Sequence, residues 1–262
     1  MIDSNGATHL TLRRSSPQPR VRRLAGFGWV PDLPDPRDVR YVPHAPGVRS
    51  VDLRAKCPRV RSQESLASAT ALAIAGALAF TRRADRSPSP LFLYYNQRVI
   101  ANNVYADDGA QLRDGLKSVA QRGICREASW PYVAPLFAAR PPQECYAEAH
   151  SRAPLHYARL EHRDLDELRA CLAEGYPFVL GFVAYERFAG REVATSGRLD
   201  MPRPGELPIA GHAALAVGYD DAIGRFIVRN SWGSDWGLAG YFTMPYAYAI
   251  DPGLTGDCWT IR

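Results

Sequence analysis

The chain has 262 residues, of which 46% are hydrophobic and 23% are charged, and its formal net charge at pH 7 is +5. This composition is typical of a folded globular protein and excludes a disordered or fibrous chain. The longest apolar stretch, residues 66–80, is shorter than the roughly 20 residues that cross a bilayer, so no membrane span is expected.

The N-terminal segment, residues 1–48, is predicted to be an irregular arm that lies on the protein surface. Residues 1–60 contain eleven Arg or Lys residues against five Asp, which concentrates positive charge at this end. Five prolines between residues 29 and 46 favour extended backbone. No aromatic residues alternate with the arginines, so nucleic acid is not an expected partner. The start lacks the layout of a secretory signal, and a cytoplasmic protein is predicted.

Hydrophobic periodicity then predicts a helical lobe followed by a lobe of strands. Helical spacing of apolar residues predicts helices over residues 68–80, 91–100, 110–121 and 165–173. Short apolar runs between Gly, Asp and Pro clusters predict strands over residues 177–185, 213–219, 225–230 and 241–244. This order predicts an α+β fold, with a mainly helical lobe over residues 49–150 and a mainly β lobe over residues 151–262.

The cysteines do not form a recognisable metal or redox motif. They are far apart in the sequence, at Cys57, Cys125, Cys145, Cys171 and Cys258. No metal, cofactor or disulfide framework is therefore predicted. Cys125 and Cys145 could pair in an exported protein, and the sequence leaves their state open.

Three polar residues in separate segments form a candidate catalytic group. His212 lies at the start of a predicted strand, Asn230 at the end of the next one, and Gln63 just before the first long helix. A protein nucleophile needs a base, a group that orients the base, and donors for the developing oxyanion. These residue types can fill those three roles, which leaves the nucleophile to be identified.

The segments around these residues resemble the papain-like cysteine peptidases, and in particular their bacterial branch. The resemblance extends from Phe27 to Arg262 and includes FGWVPDLPDPRD, DGAQLRDGL, GICREASWPY, GHAALAVGYDD and RNSWGSDWGLAGYF. It implies a papain-like fold with an α-helical left lobe, a β-barrel-like right lobe and a substrate cleft between them. The matched positions imply a peptide or protein tail as the ligand.

The resemblance also assigns roles to single residues. His212 matches the catalytic imidazole, Asn230 its orienting amide, Gln63 the oxyanion donor, and Trp232 the indole that shields the bond between His and Asn. The positions implied to bind the substrate are Gly109, Ala110 and Gly211.

The nucleophile position departs from the family pattern. The family has two glycines and then the cysteine after the glutamine, whereas this chain has Glu64, Ala67 and Ala69 at those positions. His212 follows Ala69 by about 140 residues, within the spacing expected of the family, so the alignment holds. Three departures in one loop favour natural inactivation over a single engineered change. If the Glu64 carboxylate pointed inward, about 6 Å from an oxyanion, it would oppose that charge by about 2 to 3 kcal/mol.

No neighbouring residue is expected to replace the missing cysteine. Ser68 and Thr70 flank Ala69, but successive helical residues are turned by about 100°, so neither hydroxyl should face His212. Cys57 lies upstream of the loop and is the one cysteine whose position needs to be checked.

Three functions remain possible from the sequence. The favoured one is an inactive pseudopeptidase that binds an extended peptide or protein segment in the cleft. The second is a repurposed enzyme that uses His212 as a general base to transfer an acyl group from a carrier-bound substrate to an amine. The third is an active cysteine peptidase represented here by a variant with Ala in place of Cys.

Overall fold

The computed structural model describes residues 27–44, 48–82, 87–150 and 155–262. The basic cluster of the arm lies outside these residues. The helices are α1 (Ala69–Arg82), α2 (Pro90–Ile100), α3 (Leu112–Arg122), α4 (Gln143–His150), α5 (Leu165–Ala173), α6 (Arg191–Ser196) and α7 (Tyr246–Ile250). The strands are β1 (Ser50–Asp52), β2 (Tyr157–Leu160), β3 (Phe178–Tyr185), β4 (Pro208–Asp220), β5 (Arg225–Arg229), β6 (Tyr241–Pro245) and β7 (Thr255–Ile261).

Helix α1 is the central element of the helical lobe. It contacts α2 and α3 on one side and β3, β4 and β7 on the other, so nearly all of its residues are buried. A helix surrounded in this way needs apolar residues on every face, which explains its run of Ala and Leu. Helix α2 begins beside it at Ser89, whose Oγ accepts a hydrogen bond from the Phe92 N–H at 3.1 Å, with Pro90 in the first turn.

The β lobe is built on an antiparallel sheet in the order β2-β7-β3-β4-β5-β6, with β1 added beside β4. Strand β4 is the longest and lies opposite β3, where His212 is paired with Phe182. A block of helices, α1–α4, followed by an antiparallel sheet confirms the predicted α+β class. Strand β1 falls in the segment expected to be helical, yet it pairs with β4, so the chain enters the β lobe before it forms α1.

The expectation that the whole arm lies on the surface is wrong for Phe27, Asp32 and Tyr41, which are buried. Phe27 is 5% exposed and Asp32 is 9% exposed, and Trp29 forms a parallel bridge with Ala110. The described part of the arm, residues 27–44, contains no helix, and it forms isolated bridges at Trp29 and Arg40 with a turn between them. The prolines did not show that an extended segment with two aromatic residues can bury these side chains between the lobes.

No helix among the described residues is long and apolar enough to cross a bilayer. Within the same residues, no group of three or more His, Cys, Asp or Glu side chains has the arrangement of a metal site.

Candidate active site and its cleft

Ala69 is the first residue of α1 and is fully buried. Its methyl group can neither ionise nor attack a carbonyl. The two neighbouring hydroxyls are engaged elsewhere. Ser68 Oγ is 2.6 Å from the Tyr132 hydroxyl, and Thr70 Oγ1 accepts from Gln97 Nε2 at 3.2 Å. Both contacts agree with the expectation that neither hydroxyl faces the imidazole.

His212 and Asn230 form the hydrogen bond that the sequence suggested. His212 Nε2 is 2.8 Å from Asn230 Oδ1, and the Ser231 N–H also donates to this oxygen at 2.8 Å. Because Oδ1 is an acceptor, Nε2 carries the proton and Nδ1 holds the basic lone pair. Nδ1 is buried and has no hydrogen-bond partner among the described residues.

Aromatic rings surround the imidazole of His212. The ring centroids of Phe27, Phe182, Phe188 and Trp232 lie 5.4, 5.4, 5.5 and 5.1 Å from it. Burial lowers the pKa of His212 to about 4, although the hydrogen bond with Asn230 acts in the opposite direction. The imidazole is therefore neutral at pH 7, and the position of Trp232 suits the shielding role expected of it.

Gln63 donates to a main-chain carbonyl of the arm. Its Nε2 is 3.0 Å from the Phe27 oxygen and 2.8 Å from the Leu66 oxygen, and its Oε1 accepts from Ser231 Oγ at 2.5 Å. The side chain is fully buried, so these bonds hold it in one orientation. The expected oxyanion donor thus already binds a peptide carbonyl.

The arm occupies the expected peptide-binding positions as an extended strand. The Gly211 oxygen accepts from the N–H groups of Gly28 and Trp29 at 2.9 and 3.0 Å. On the other side, Ala110 donates to the Gly28 oxygen at 2.9 Å and accepts from the Val30 N–H at 3.1 Å. The two walls of the cleft therefore hold a main chain between them by strand addition.

Gly109 is shaped by the same close approach. Its φ is +82°, and a Cβ there would lie 2.3 Å from the Gly28 oxygen. Only glycine fits this conformation beside another backbone.

The two lost glycines of the loop have different consequences. Glu64 has φ of 52°, in the left-handed region where glycine is favoured, whereas Ala67 has no positive φ. The Glu64 side chain is exposed, so water screens its charge and the electrostatic penalty considered for an oxyanion is reduced. The Ala67 N–H donates to Asp107 Oδ1 at 2.9 Å, which holds the loop against the helical lobe.

The cysteines lie away from the imidazole. The Cys57 thiol is 3.5 Å from the Leu53 oxygen, and burial raises its pKa. Cys125 and Cys145 are both free, and burial raises the pKa of each. None of these thiols is poised as a nucleophile, because a reactive cysteine has a lowered pKa.

A buried charge cluster that sequence reasoning missed ties the arm to both lobes. Asp38 accepts from Arg113 of α3 at 2.6 Å and from Arg159 of β2 at 3.1 Å. Asp32 accepts from the Arg113 N–H at 3.1 Å, and Asp257 of β7 accepts from Arg159 at 2.9 Å. Burial and the neighbouring Asp257 raise the pKa of Asp32. The sequence feature that could have revealed this cluster is the group of three aspartates within residues 29–46, two of which, Asp32 and Asp38, belong to it.

Comparisons with known proteins agree with this geometry. A family model described as "Papain family cysteine protease" matches residues 47–256. A mimivirus protein, the "Uncharacterized peptidase C1-like protein L477" of Acanthamoeba polyphaga mimivirus, is 37% identical over 268 residues, which cover 90% of this chain and 86% of the viral one.

Solved structures show the same fold. Xylellain, a cysteine protease from Xylella fastidiosa, matches with a TM-score of 0.86 and 38% identity over 92% of this chain and 97% of its own. Digestive procathepsin L 3 of Tenebrio molitor matches with a TM-score of 0.68 and 22% identity over 86% of this chain and 74% of its own, a likeness of fold alone.

Proposed function

Because this chain belongs to the papain family of cysteine proteases, we propose that it is a non-catalytic member that holds an extended peptide segment between its lobes. The observation that carries the proposal is Ala69, a buried methyl side chain at the start of α1, where the resemblance to the family puts the nucleophile. Removing the nucleophile of a triad costs about 10⁶ in turnover in a well-studied serine protease. A loss of that size leaves the cleft as a binding site.

The cleft retains what peptide binding needs. Ala110 and Gly211 present main-chain groups at hydrogen-bond distance from an extended segment, here the arm itself. This mode draws affinity from main-chain bonds and selectivity from side-chain pockets. An external segment would have to displace residues 28–30 to use the same groups.

The acyl-transfer alternative has less support. It needs His212 to reach a substrate, but His212 is fully buried and the Phe27 ring lies against it. The alternative of an active peptidase with one engineered change leaves Glu64 and Ala67 unexplained, since a trapping variant requires only the cysteine to be replaced.

The proposal is tested by incubating the unmodified protein with a fluorogenic peptide library and with thiol-directed electrophiles. We expect neither cleavage nor labelling of residue 69. The matched control is the triple variant Glu64→Gly, Ala67→Gly and Ala69→Cys, which restores the family pattern and is expected to become labelled at residue 69. Turnover by the unmodified protein at about 1 per second or more, a rate typical of enzymes, would contradict the proposal.

A further inference from the structure

A cavity beside α1 lies outside the peptide-binding cleft. This α1 cavity has a volume of about 600 Å³ and is bounded by α1, the end of β5 and the loops over residues 58–62 and 233–235. Ala69, His212 and Gly211 do not line it. Cavities of this size accommodate small organic molecules, so the α1 cavity is a separate candidate for ligand binding.

Arg229, the last residue of β5, brings a buried positive charge to the wall of the α1 cavity. It is 5% exposed, and its Nη2 donates to the Arg59 oxygen at 2.8 Å. Its buried Nε has no hydrogen-bond partner, and no carboxylate forms an ion pair with the guanidinium, among the described residues. Burial lowers the pKa of Arg229, and the charge of Arg61 acts in the same direction. A cation that has lost its water in this way is stabilised by an anion that enters the cavity.

Small residues of α1 keep the space beside Arg229 open. A Cβ at Gly76 would lie 2.9 Å from Nη1 of Arg229, so glycine leaves room for the guanidinium. Leu72, Ala75 and Ala79 lie on one face of the helix and line the same cavity. Because two of these three residues are alanine, this apolar wall leaves volume that larger side chains would fill.

The other charged residues of the lining do not neutralise Arg229. Arg61 pairs with Glu127 at 2.7 Å. Three further charged residues are exposed, so water and salt screen them, namely Arg59, Glu64 and Asp235. Arg229 therefore carries a single buried charge. A monoanion matches it, whereas a dianion would bring a second charge into the site without a partner. A carboxylate is a monoanion whose two oxygens match the fork of a guanidinium.

We propose that the α1 cavity binds a small monocarboxylic acid, with its carboxylate on Arg229 and its apolar body against α1. The apolar face of α1 favours a hydrocarbon body over a polar one. This site goes beyond the peptide-binding function and does not depend on it, because Ala110 and Gly211 take no part in it.

The test measures binding of four probes to the full chain by calorimetry at pH 8. The first probe is 3-phenylpropionate, which is expected to bind with a Kd of about 1 mM or below. Its neutral analogue 3-phenylpropan-1-ol should bind at least about 10-fold more weakly, because the charge-assisted hydrogen bonds are lost. Acetate lacks the apolar body and phenyl phosphate carries a second negative charge, so each should also bind at least about 10-fold more weakly than 3-phenylpropionate.

Two variants locate the site. In Arg229→Met the acid and the alcohol should bind within about twofold of each other, whereas the exposed control Arg163→Met should keep the preference for the acid. Ala79→Leu fills the cavity and should weaken both ligands at least about 10-fold while Arg229 is retained. If Arg229→Met fails to fold, Ala79→Leu still locates the ligand, and the comparison of acid with alcohol in the unmodified protein still decides the role of charge.

Asp85→Asn tests whether a carboxylate of this chain fills the site instead. Asp85 lies outside the described residues, two positions before Ser87 of the cavity wall. We expect this variant to bind 3-phenylpropionate with an affinity within about twofold of the unmodified protein. A gain of about 10-fold or more would show that Asp85 competes for Arg229, and it would overturn the proposal of an external ligand.

The remaining outcomes are also decisive. Equal affinities of the acid and the alcohol, or no binding of either one, would overturn the inference. Tighter binding of phenyl phosphate than of 3-phenylpropionate would show a site for phosphate groups and would overturn the assignment to monocarboxylic acids. None of these results bears on peptide binding or on catalysis, because the cleft does not take part in the experiment.

Discussion

At the residue scale, Glu64 is a strained position in the loop that precedes α1. Its φ of 52° is a conformation that costs an L-residue roughly 1–2 kcal/mol and glycine almost nothing. Glycine adds an entropic cost of about 0.5–1 kcal/mol, so Glu64→Gly is expected to raise the free energy of unfolding by about 0.5–1 kcal/mol. Urea unfolding measures the change.

Ala67→Gly is the matched control for that substitution. It restores the other lost glycine at a position with no positive φ, so it is expected to destabilise the protein by about 0.5–1 kcal/mol. If both substitutions changed stability in the same direction, backbone strain would not be the difference between the two positions.

Burial of His212 makes the free energy of unfolding depend on pH. Its folded pKa of about 4 lies below the ordinary value of 6.5, so the unfolded chain takes up a proton first as the pH falls. The contribution of His212 to the free energy of unfolding is complete above pH 6.5 and is lost as the pH falls from 6.5 to 4. The loss amounts to about 3 kcal/mol. Urea unfolding at pH 7 and pH 4, compared with His212→Gln, isolates this residue. A variant with the same pH dependence as the unmodified chain would show that other groups are responsible.

At the element scale, the arm is an extended segment whose binding depends on pH. Burial and Asp257 raise the pKa of Asp32, so the bound arm retains a proton that the free arm loses. Binding of the arm is therefore complete at low pH and weakens as the pH rises through the folded pKa of Asp32. Hydrogen bonds from Arg113 and Trp259 and the charge of Arg113 lower the pKa of Asp32, but burial and the second carboxylate outweigh them.

Chymotrypsin cleavage after Trp29 measures how often the arm leaves the cleft, because the bound segment is protected from the protease. We expect faster cleavage at pH 8.5 than at pH 6 after normalisation to an unfolded substrate. Asp32→Asn resembles the protonated form and should cleave at a rate that depends little on pH. If the unmodified protein and this variant responded alike to pH, Asp32 would not control the arm.

At the scale of the whole molecule, the arm joins the two lobes through Asp38. This carboxylate contacts Arg113 of the helical lobe and Arg159 of the β lobe, and the Arg113 side chain is only 4% exposed. Removing one partner of a buried pair costs about 3–5 kcal/mol. The lower end applies here, because Arg159 keeps Asp257 as a partner and Arg113 keeps its bond to the Leu33 oxygen. Asp38→Ala is therefore expected to lower the free energy of unfolding by about 3 kcal/mol.

Asp35→Ala is the control on the same segment. Asp35 has a side chain about as buried as that of Asp38, but its partners are the exposed Arg37 and, at 3.6 Å, Lys117. Both cations remain solvated when Asp35 is removed, so urea unfolding should change little. Equal losses from the two substitutions would show that Asp38 does not act as a bridge between the lobes.

The sequence alone determined the class of fold and the identity of the main polar residues. Alternating and helical apolar spacing is a local property, so it located α1, α2, α3, α5 and the β3–β6 strands to within a few residues, apart from the start of β4. The family resemblance of the segments around His212 and Asn230 implied the hydrogen bond that the structure shows between them. Strands β1, β2 and β7 were not predicted, because they are short or interrupted by polar residues and only pairing within the sheet stabilises them.

Only the tertiary structure decided what occupies the cleft. The prolines predicted an extended arm, but the site of Trp29 depends on Gly181 and Asp257, which lie far along the chain and meet Trp29 only in the tertiary structure. The same holds for Glu64, because the sequence left open where its carboxylate lies, and the structure shows an exposed side chain on backbone with a φ of 52°. Local sequence patterns report backbone preferences, whereas long-range contacts determine which side chains are buried and which hydrogen bonds they form. The binding properties of this protein depend on the long-range contacts.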